Sequence, residues 1–399
     1  MTVSDPSLRR RDLATLGAAA VALPLVALAA GPVGPASAAP AGPPAAPARP
    51  AARLRLRPDG SGLGGALDVP LTAAPQVAGR GAVLRTAEQR TDRFALLGVT
   101  WAAGTGQVRV RVRDVGGAWG PWRDVTALRD LPDRDTAEGR TARAGTEPLW
   151  VGDSDGVQVE IAGAVQDPVL TLVDPGHDPR DAVDGGGPAD RPKRGRSLRP
   201  KIRSRRSWGA KERWATGRPK RVKTVEQVHV HHTATGNDYR RRDVPRILRA
   251  IYRYHTKTLG WSDVGYNYFV DRFGRIWAGR RGADGDRDTR GAHTLGFNHT
   301  SVGIAVLGSY QEVAPTPKVL AGVAKVAAWK LKRYHRDPLA TTPVLSHGSD
   351  LYPKGAVVTL PVIDGHRDTN DTECPGQFLY AALPEIRLRT AARIKKSRR

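Results

Sequence analysis

The sequence is short of cysteine, short of negative charge and, beyond Ala30, without long apolar runs. Among its 399 residues Cys374 is the lone cysteine, which excludes an internal disulfide and leaves that thiol as either a buried bystander or a ligand. Aspartate and glutamate number 39 against 63 lysines and arginines, a formal net charge of +24. That imbalance points to a polyanionic partner without naming it, since nucleic acid and the phosphates and peptide carboxylates of a bacterial wall would both serve. No basic stretch has base-reading spacing, so nothing beyond charge argues for nucleic acid. After Ala30 no segment is long and apolar enough to span a bilayer.

What is present divides the chain into blocks. Ser7–Leu13 reads SLRRRDL and leads into an Ala, Leu, Val and Gly run that ends in small residues at Ala36–Ala38. A charged start, an apolar middle and an AxA ending make residues 1–38 an expected export signal, and the Arg10–Arg11 pair resembles a twin-arginine signal. A secreted, wall-associated protein with no stable membrane anchor after cleavage is the expectation. Residues 39–52 are a Pro/Ala spacer. Over residues 53–174 the periodicity is two, with Val108, Val110 and Val112 alternating with arginines, and Val157, Val159 and Ile161 alternating with polar residues. An antiparallel β-sandwich is expected there. Residues 175–200 form a basic Gly/Pro-rich linker. Residues 201–390 mix strand and helix patterns: Gln227–Thr233 reads as a strand, and Val244, Ile247, Leu248, Ile251 and Tyr252 share one helical face. Thr316–Pro317 reads as a cap and first turn. The expected class is a central mixed sheet flanked by helices, followed by a basic tail over residues 391–399.

Nine of the ten histidines fall in this last large block. His229 and His231 lie on one face of the expected strand and His232 on the other. GHRD at Gly365–Asp368 is followed, eight residues after His366, by Cys374, close enough for a loop to fold the two together. Imidazole plus thiolate is a zinc-like ligand set, and three protein ligands leave a position for water. From the residues alone, His229 and His231 are rivals for the first ligand.

SRRSWGA at Ser204–Ala210, VHVHHTAT at Val228–Thr235, the Tyr254–Arg280 block with GYN, GAHTLGFNHTSVGIAVLG at Gly291–Gly308 and GHRDTNDTECPGQFLY at Gly365–Tyr380 together resemble the peptidoglycan recognition protein and type 2 N-acetylmuramoyl-L-alanine amidase family. The likeness covers about Ile202 to Arg387. It implies a zinc-dependent hydrolase that cuts the amide between N-acetylmuramic acid and L-alanine in peptidoglycan, with a non-catalytic peptidoglycan-binding receptor or wall-adhesion protein as the alternative. Carried over by position, it makes His231, His366 and Cys374 the ligands of Zn2+ and gives His232 a packing role. It puts Tyr266 beside the metal, and Thr372 within reach of a developing oxyanion. His255, Arg280, His293 and Asn298 fall in blocks that line the groove and are expected to meet substrate. Peptidoglycan is the implied partner, with anionic wall polymers as a second possibility. The charged run Asp284–Arg290 departs from the family pattern, and Thr341–Thr359 is an added segment expected to wall the groove.

Overall fold

The computed structural model describes residues 53–72, 83–182, 198–283, 285 and 288–397. The expected export signal, the Pro/Ala spacer and most of the expected linker lie outside these residues. Among the described residues no helix is long and apolar enough to cross a membrane.

The N-terminal domain is built from antiparallel strands β1 (Arg57–Pro58), β2 (Gly65–Pro70), β3 (Val83–Arg85), β4 (Gln89–Trp101), β5 (Ala103–Asp114), β6 (Arg123–Val125), β7 (Ala144–Gly145), β8 (Leu149–Gln166) and β9 (Val169–Asp174). They are hydrogen-bonded into one set, in the order β1-β2-β9-β4-β8-β5-β6, with β3 branching off β8 and β7 off β4. The antiparallel pairing agrees with the period-two pattern; the strands are not divided between two separately bonded sheets. Along β4 the run Phe94–Trp101 is buried on both faces. Phe94, Leu97 and Val99 join the domain's own core with Val110, Val159 and Leu172. Ala95 and Leu96 face the other way, into a core shared with the C-terminal domain. Such a two-sided strand reads as a continuous apolar run rather than an alternation.

The C-terminal domain has a six-stranded mixed sheet in the order β10-β13-β12-β14-β11-β17. Its strands are β10 (Ile202–Arg203), β11 (Gln227–His232), β12 (Tyr268–Val270), β13 (Ile276–Ala278), β14 (Ser301–Val306) and β17 (Ile363–Gly365). Strands β14, β11 and β17 run parallel to one another. Helices α3 (Pro317–Arg333) and α5 (Leu383–Lys396) cover one face through Val323, Val326, Leu331 and Ile386 against Val228, Val230 and Ile304. Thr316 caps α3 by accepting from the Val319 amide, with Pro317 in the first turn, as its sequence suggests. The added segment forms a hairpin of β15 (Thr341–Leu345) and β16 (Val357–Pro361) that packs on Phe297 through Val344 and Leu360.

Helix α2 (Val244–Arg253) covers the opposite face, and all ten of its residues are buried. Its apolar stripe meets the sheet, whereas its arginine face, which sequence alone would leave in water, is covered by the N-terminal domain. Arg249 is paired with Asp181 at 2.6 Å and donates to the Pro175 and Gly176 carbonyls; Arg246 is paired with Asp153 at 2.6 Å. Residues 175–182, expected to open a spacer, are therefore folded: they end in a 3-10 turn, Pro179–Ala182, whose Asp181 is buried against α2. A tight contact also ties the domains at Gly98, where an added Cβ would stand 2.5 Å from the Tyr254 ring, while the Tyr254 hydroxyl donates to the Thr146 carbonyl at 3.1 Å. The described residues from Arg53 onward form one compact unit. Arg249→Ala, which leaves the buried Asp181 carboxylate without its cation and with only the Asp178 amide donating to it, is expected to cost about 3–5 kcal/mol in urea unfolding.

Candidate metal centre

Parallel pairing sets the first two candidate ligands side by side. The register aligns Val230 of β11 with Gly365 of β17, so the next residues, His231 and His366, emerge together at the carboxyl ends of adjacent strands, the usual place for a site in a parallel sheet. The loop after His366 turns back, held by the Arg367 amide on the Cys374 carbonyl at 3.0 Å. Cys374 Sγ then lies 3.7 Å from His231 Nδ1 and accepts from the His232 amide at 3.4 Å. Thr372 Oγ1 accepts from the Cys374 amide at 3.2 Å and so supports the ligand's backbone.

A fourth group comes from the N-terminal domain. Asp130 Oδ1 is 2.9 Å from His231 Nδ1 and 2.9 Å from His366 Nδ1, and Asp130, His231, His366 and Cys374 present donor atoms all within 4.8 Å of one another. These contacts are close in distance, yet Asp130 Oδ1 and both nitrogens of His366 are buried with no hydrogen-bond partner. A carboxylate oxygen and an imidazole left unpartnered, converging on a second imidazole and a thiol, fit a shared cation. Nitrogen and oxygen ligands at about 2.0–2.1 Å from a tetrahedral zinc stand about 3.3 Å apart, and nitrogen and sulfur about 3.6 Å, close to this spacing.

The surroundings orient the set. His231 Nε2 shares a hydrogen bond with His293 Nδ1 at 3.1 Å, the kind of outer partner that fixes a ligand's ring. The Tyr266 hydroxyl donates to Asp130 Oδ2, and its ring lies 5.5 Å from that of His231. Burial pushes the Tyr266 phenol well above its ordinary value, with Asp130 and Glu147 adding to the shift, so it stays protonated and a donor. Burial likewise raises the Cys374 thiol, and Asp130 raises it further. His229 stands apart, its Nδ1 2.5 Å from Asp364 Oδ1 in a separate buried pair, so of the two rivals it is His231 that joins the cluster. His232 points to the other face and accepts from the Tyr310 amide at 3.2 Å.

The residues expected to meet substrate are occupied from within. His255 is buried between Trp261 and Tyr266, accepting from the Gly265 amide at 3.1 Å. Arg280 is paired with Glu138 at 2.7 Å. Asn298 accepts from the His293 and Thr294 amides and donates to the Leu131 carbonyl and Asp133, both at 3.1 Å. The sequence reading missed Asp130, Asp133 and Glu138. The signal that could have pointed there is length: 18 residues, with only a five-residue helix at Ala137–Thr141, connect β6 and β7, and long connections often carry function.

Burial depresses several of these imidazoles, His231 and His232 to about 4 and His255 to about 3. A depressed base is protonated first in the unfolded chain, so it adds stability that is complete above about pH 6.5 and lost as pH falls toward 4, at about 1.4 kcal/mol per pKa unit. Asp364, raised by burial to about 6, works the opposite way, its native form holding a proton that the unfolded chain has released. Glu147, raised well above its ordinary value by burial and by Asp130, acts as Asp364 does, and the depressed histidines, five with His293 and His299, are expected to outweigh the two carboxyls. The metal-free protein is expected to show a falling melting temperature from pH 6.5 to 4 in a thermal denaturation series.

Two families match this chain. The one described as Rv3811 N-terminal galactose-binding domain-like matches residues 58–185, and the one described as N-acetylmuramoyl-L-alanine amidase matches residues 221–377, which contain His231, His366 and Cys374. The C-terminal domain belongs to the peptidoglycan recognition protein and type 2 N-acetylmuramoyl-L-alanine amidase family. Peptidoglycan-recognition protein SC2 of Drosophila simulans is 29% identical over 179 residues, 45% of this chain and 82% of that protein. Human N-acetylmuramoyl-L-alanine amidase is 32% identical over 189 residues, 46% of this chain but only 28% of that protein. A solved structure of peptidoglycan recognition protein LE in complex with tracheal cytotoxin, a monomeric diaminopimelic acid-type peptidoglycan, is 28% identical, with a TM-score of 0.37, over 46% of this chain and 92% of that one. In this amidase-family domain, Asp130 is contributed from outside the matched region.

Proposed function

We propose that the protein is a zinc-dependent N-acetylmuramoyl-L-alanine amidase of exported, wall-associated type. The observation that carries the reading is the meeting of His231, His366 and Cys374 at one point, with the Tyr266 hydroxyl turned toward the same place. When bound there, zinc would polarise the scissile carbonyl and lower the pKa of a bound water.

The chain's own residues supply the rest. The buried imidazoles of His231 and His366 stand side by side as candidate ligands, and His293 holds the His231 ring. Tyr266, kept protonated by burial, donates a hydrogen bond to charge that develops on the substrate oxygen, a role worth about 10²–10³ in kcat. Thr372 keeps the Cys374 backbone in place, and its hydroxyl is a second donor candidate. Arg280 and Asn298 are side chains available to substrate carboxylates and amides once their internal partners leave. Because the Cys374 thiol is raised and must ionise to bind, metal uptake is expected to release about one proton per ion; calorimetry in buffers of different ionisation heat measures it.

The direct test is mass spectrometry of muropeptides after incubation with the protein, with and without a chelator. Chelator-sensitive loss of the lactyl–alanine amide supports the reading. One observation favours the binding alternative: four protein ligands with no position left for water is the pattern of structural metal sites. A protein that sediments with sacculi yet releases nothing in any form would establish that alternative.

A further inference from the structure

The connection between β6 and β7, residues 126–143, crosses the face of the metal centre. It leaves the sheet at the Ala127–Thr146 bridge, and Leu128, its amide bonded to the Gly145 carbonyl, is buried in the shared core. It then sends three carboxylates into the C-terminal domain. Asp130 reaches His231, His366 and Tyr266. Asp133 accepts from the Gly296 amide at 2.7 Å and from Asn298, and is paired with Arg290. Glu138, in the short helix α1 (Ala137–Thr141), holds Arg280 and accepts from the Ser262 amide and hydroxyl at 3.0 and 2.8 Å. A segment that merely filled a groove would be served by Leu128 and Leu131. Burying Asp130, only 2% exposed, costs heavily unless a cation offsets it, and its place opposite two imidazoles and a thiol is where such a cation would sit.

We propose that residues 126–143 are an internal latch: Asp130 takes the coordination position that catalysis needs open, while Asp133 and Glu138 occupy the polar groups of the groove. The chain as folded is then a latent hydrolase, and its centre opens when the latch is displaced. This rests on the amidase reading of the same site for its catalytic consequence, though not for the ligand assignment.

The experiment uses the full chain loaded with cobalt(II), whose visible spectrum reports the ligand set, alongside muropeptide release and competition with a chelator. Asp130→Ala is expected to change the cobalt spectrum, to weaken metal retention about 10-fold or more, and to raise muropeptide release at least 10-fold. A paired variant, Asp133→Asn with Glu138→Gln, leaves all four ligands in place. It is expected to raise release as well, with faster hydrogen exchange across residues 126–143, and it keeps the proposal testable if Asp130→Ala does not fold. A cobalt spectrum unchanged by Asp130→Ala would overturn the ligand assignment. Release that falls in both variants would overturn the latch and make Asp130 part of the catalytic apparatus. If no form cleaves peptidoglycan while the spectrum still changes, the ligand assignment holds and the hydrolase reading fails on its own.

Discussion

Cys374→Ser is expected to abolish muropeptide release while sacculus binding persists. Serine places a hydroxyl, which does not ionise near neutral pH, where a thiolate is needed, and loses the soft ligand that favours zinc. Even partners one step removed from a metal typically cost 10–100-fold in affinity or activity when lost, so a direct ligand should cost more than about 100-fold. The fold should survive, because the sulfur's contacts are long, 3.4 Å from the His232 amide, 3.7 Å to His231 Nδ1 and 3.9 Å to the His232 carbonyl, and the loop is held independently through Arg367. Inductively coupled plasma mass spectrometry of the purified variant, read beside its muropeptide release and sedimentation with sacculi, checks all three points. Release at the wild-type rate would remove Cys374 from the centre.

Tyr266→Phe carries the second large effect, and the structure dictates how it must be measured. The hydroxyl has two expected jobs: it donates to Asp130 in the folded chain and to the substrate oxygen during reaction. In the wild-type background its loss frees Asp130 Oδ2 and removes a catalytic donor together, two changes with opposite signs. In an Asp130→Ala background the first job is gone. There, Tyr266→Phe is expected to lower kcat by about 10²–10³ with little change in KM and no loss of bound metal. Steady-state kinetics on a soluble muropeptide, with metal content measured on the same preparation, gives the split. A drop confined to KM would make Tyr266 a substrate contact rather than a donor to developing charge.

Much of this site is written locally. The one cysteine, its spacing from GHRD, and alternation along Gln227–His232 narrow the candidate ligands to His366, Cys374 and one of His229 and His231, and the parallel register of β11 with β17 brings His231 and His366 together. The choice between His229 and His231 was open to spacing alone, because both lie on one face of the strand. It closes in the structure, where Asp364 claims His229. Helix α2 shows the opposite limit. Its apolar stripe is legible, but the burial of Arg246 and Arg249 depends on Asp153, Asp181 and two backbone carbonyls far away in the chain.

By itself the sequence determined the helix and strand periodicities and a short set of candidate metal ligands, with His229 and His231 still rivals, because strand alternation, helix caps and ligand chemistry are properties of neighbouring residues. The tertiary structure alone decided that a carboxylate some hundred residues before the first histidine joins them. Nothing in ALRDLPDRD distinguishes Asp130 from Asp133 or Asp135. Which of these reaches the imidazoles is set by the packing of one domain on another, an arrangement fixed by a shared core and buried ion pairs rather than by any local pattern.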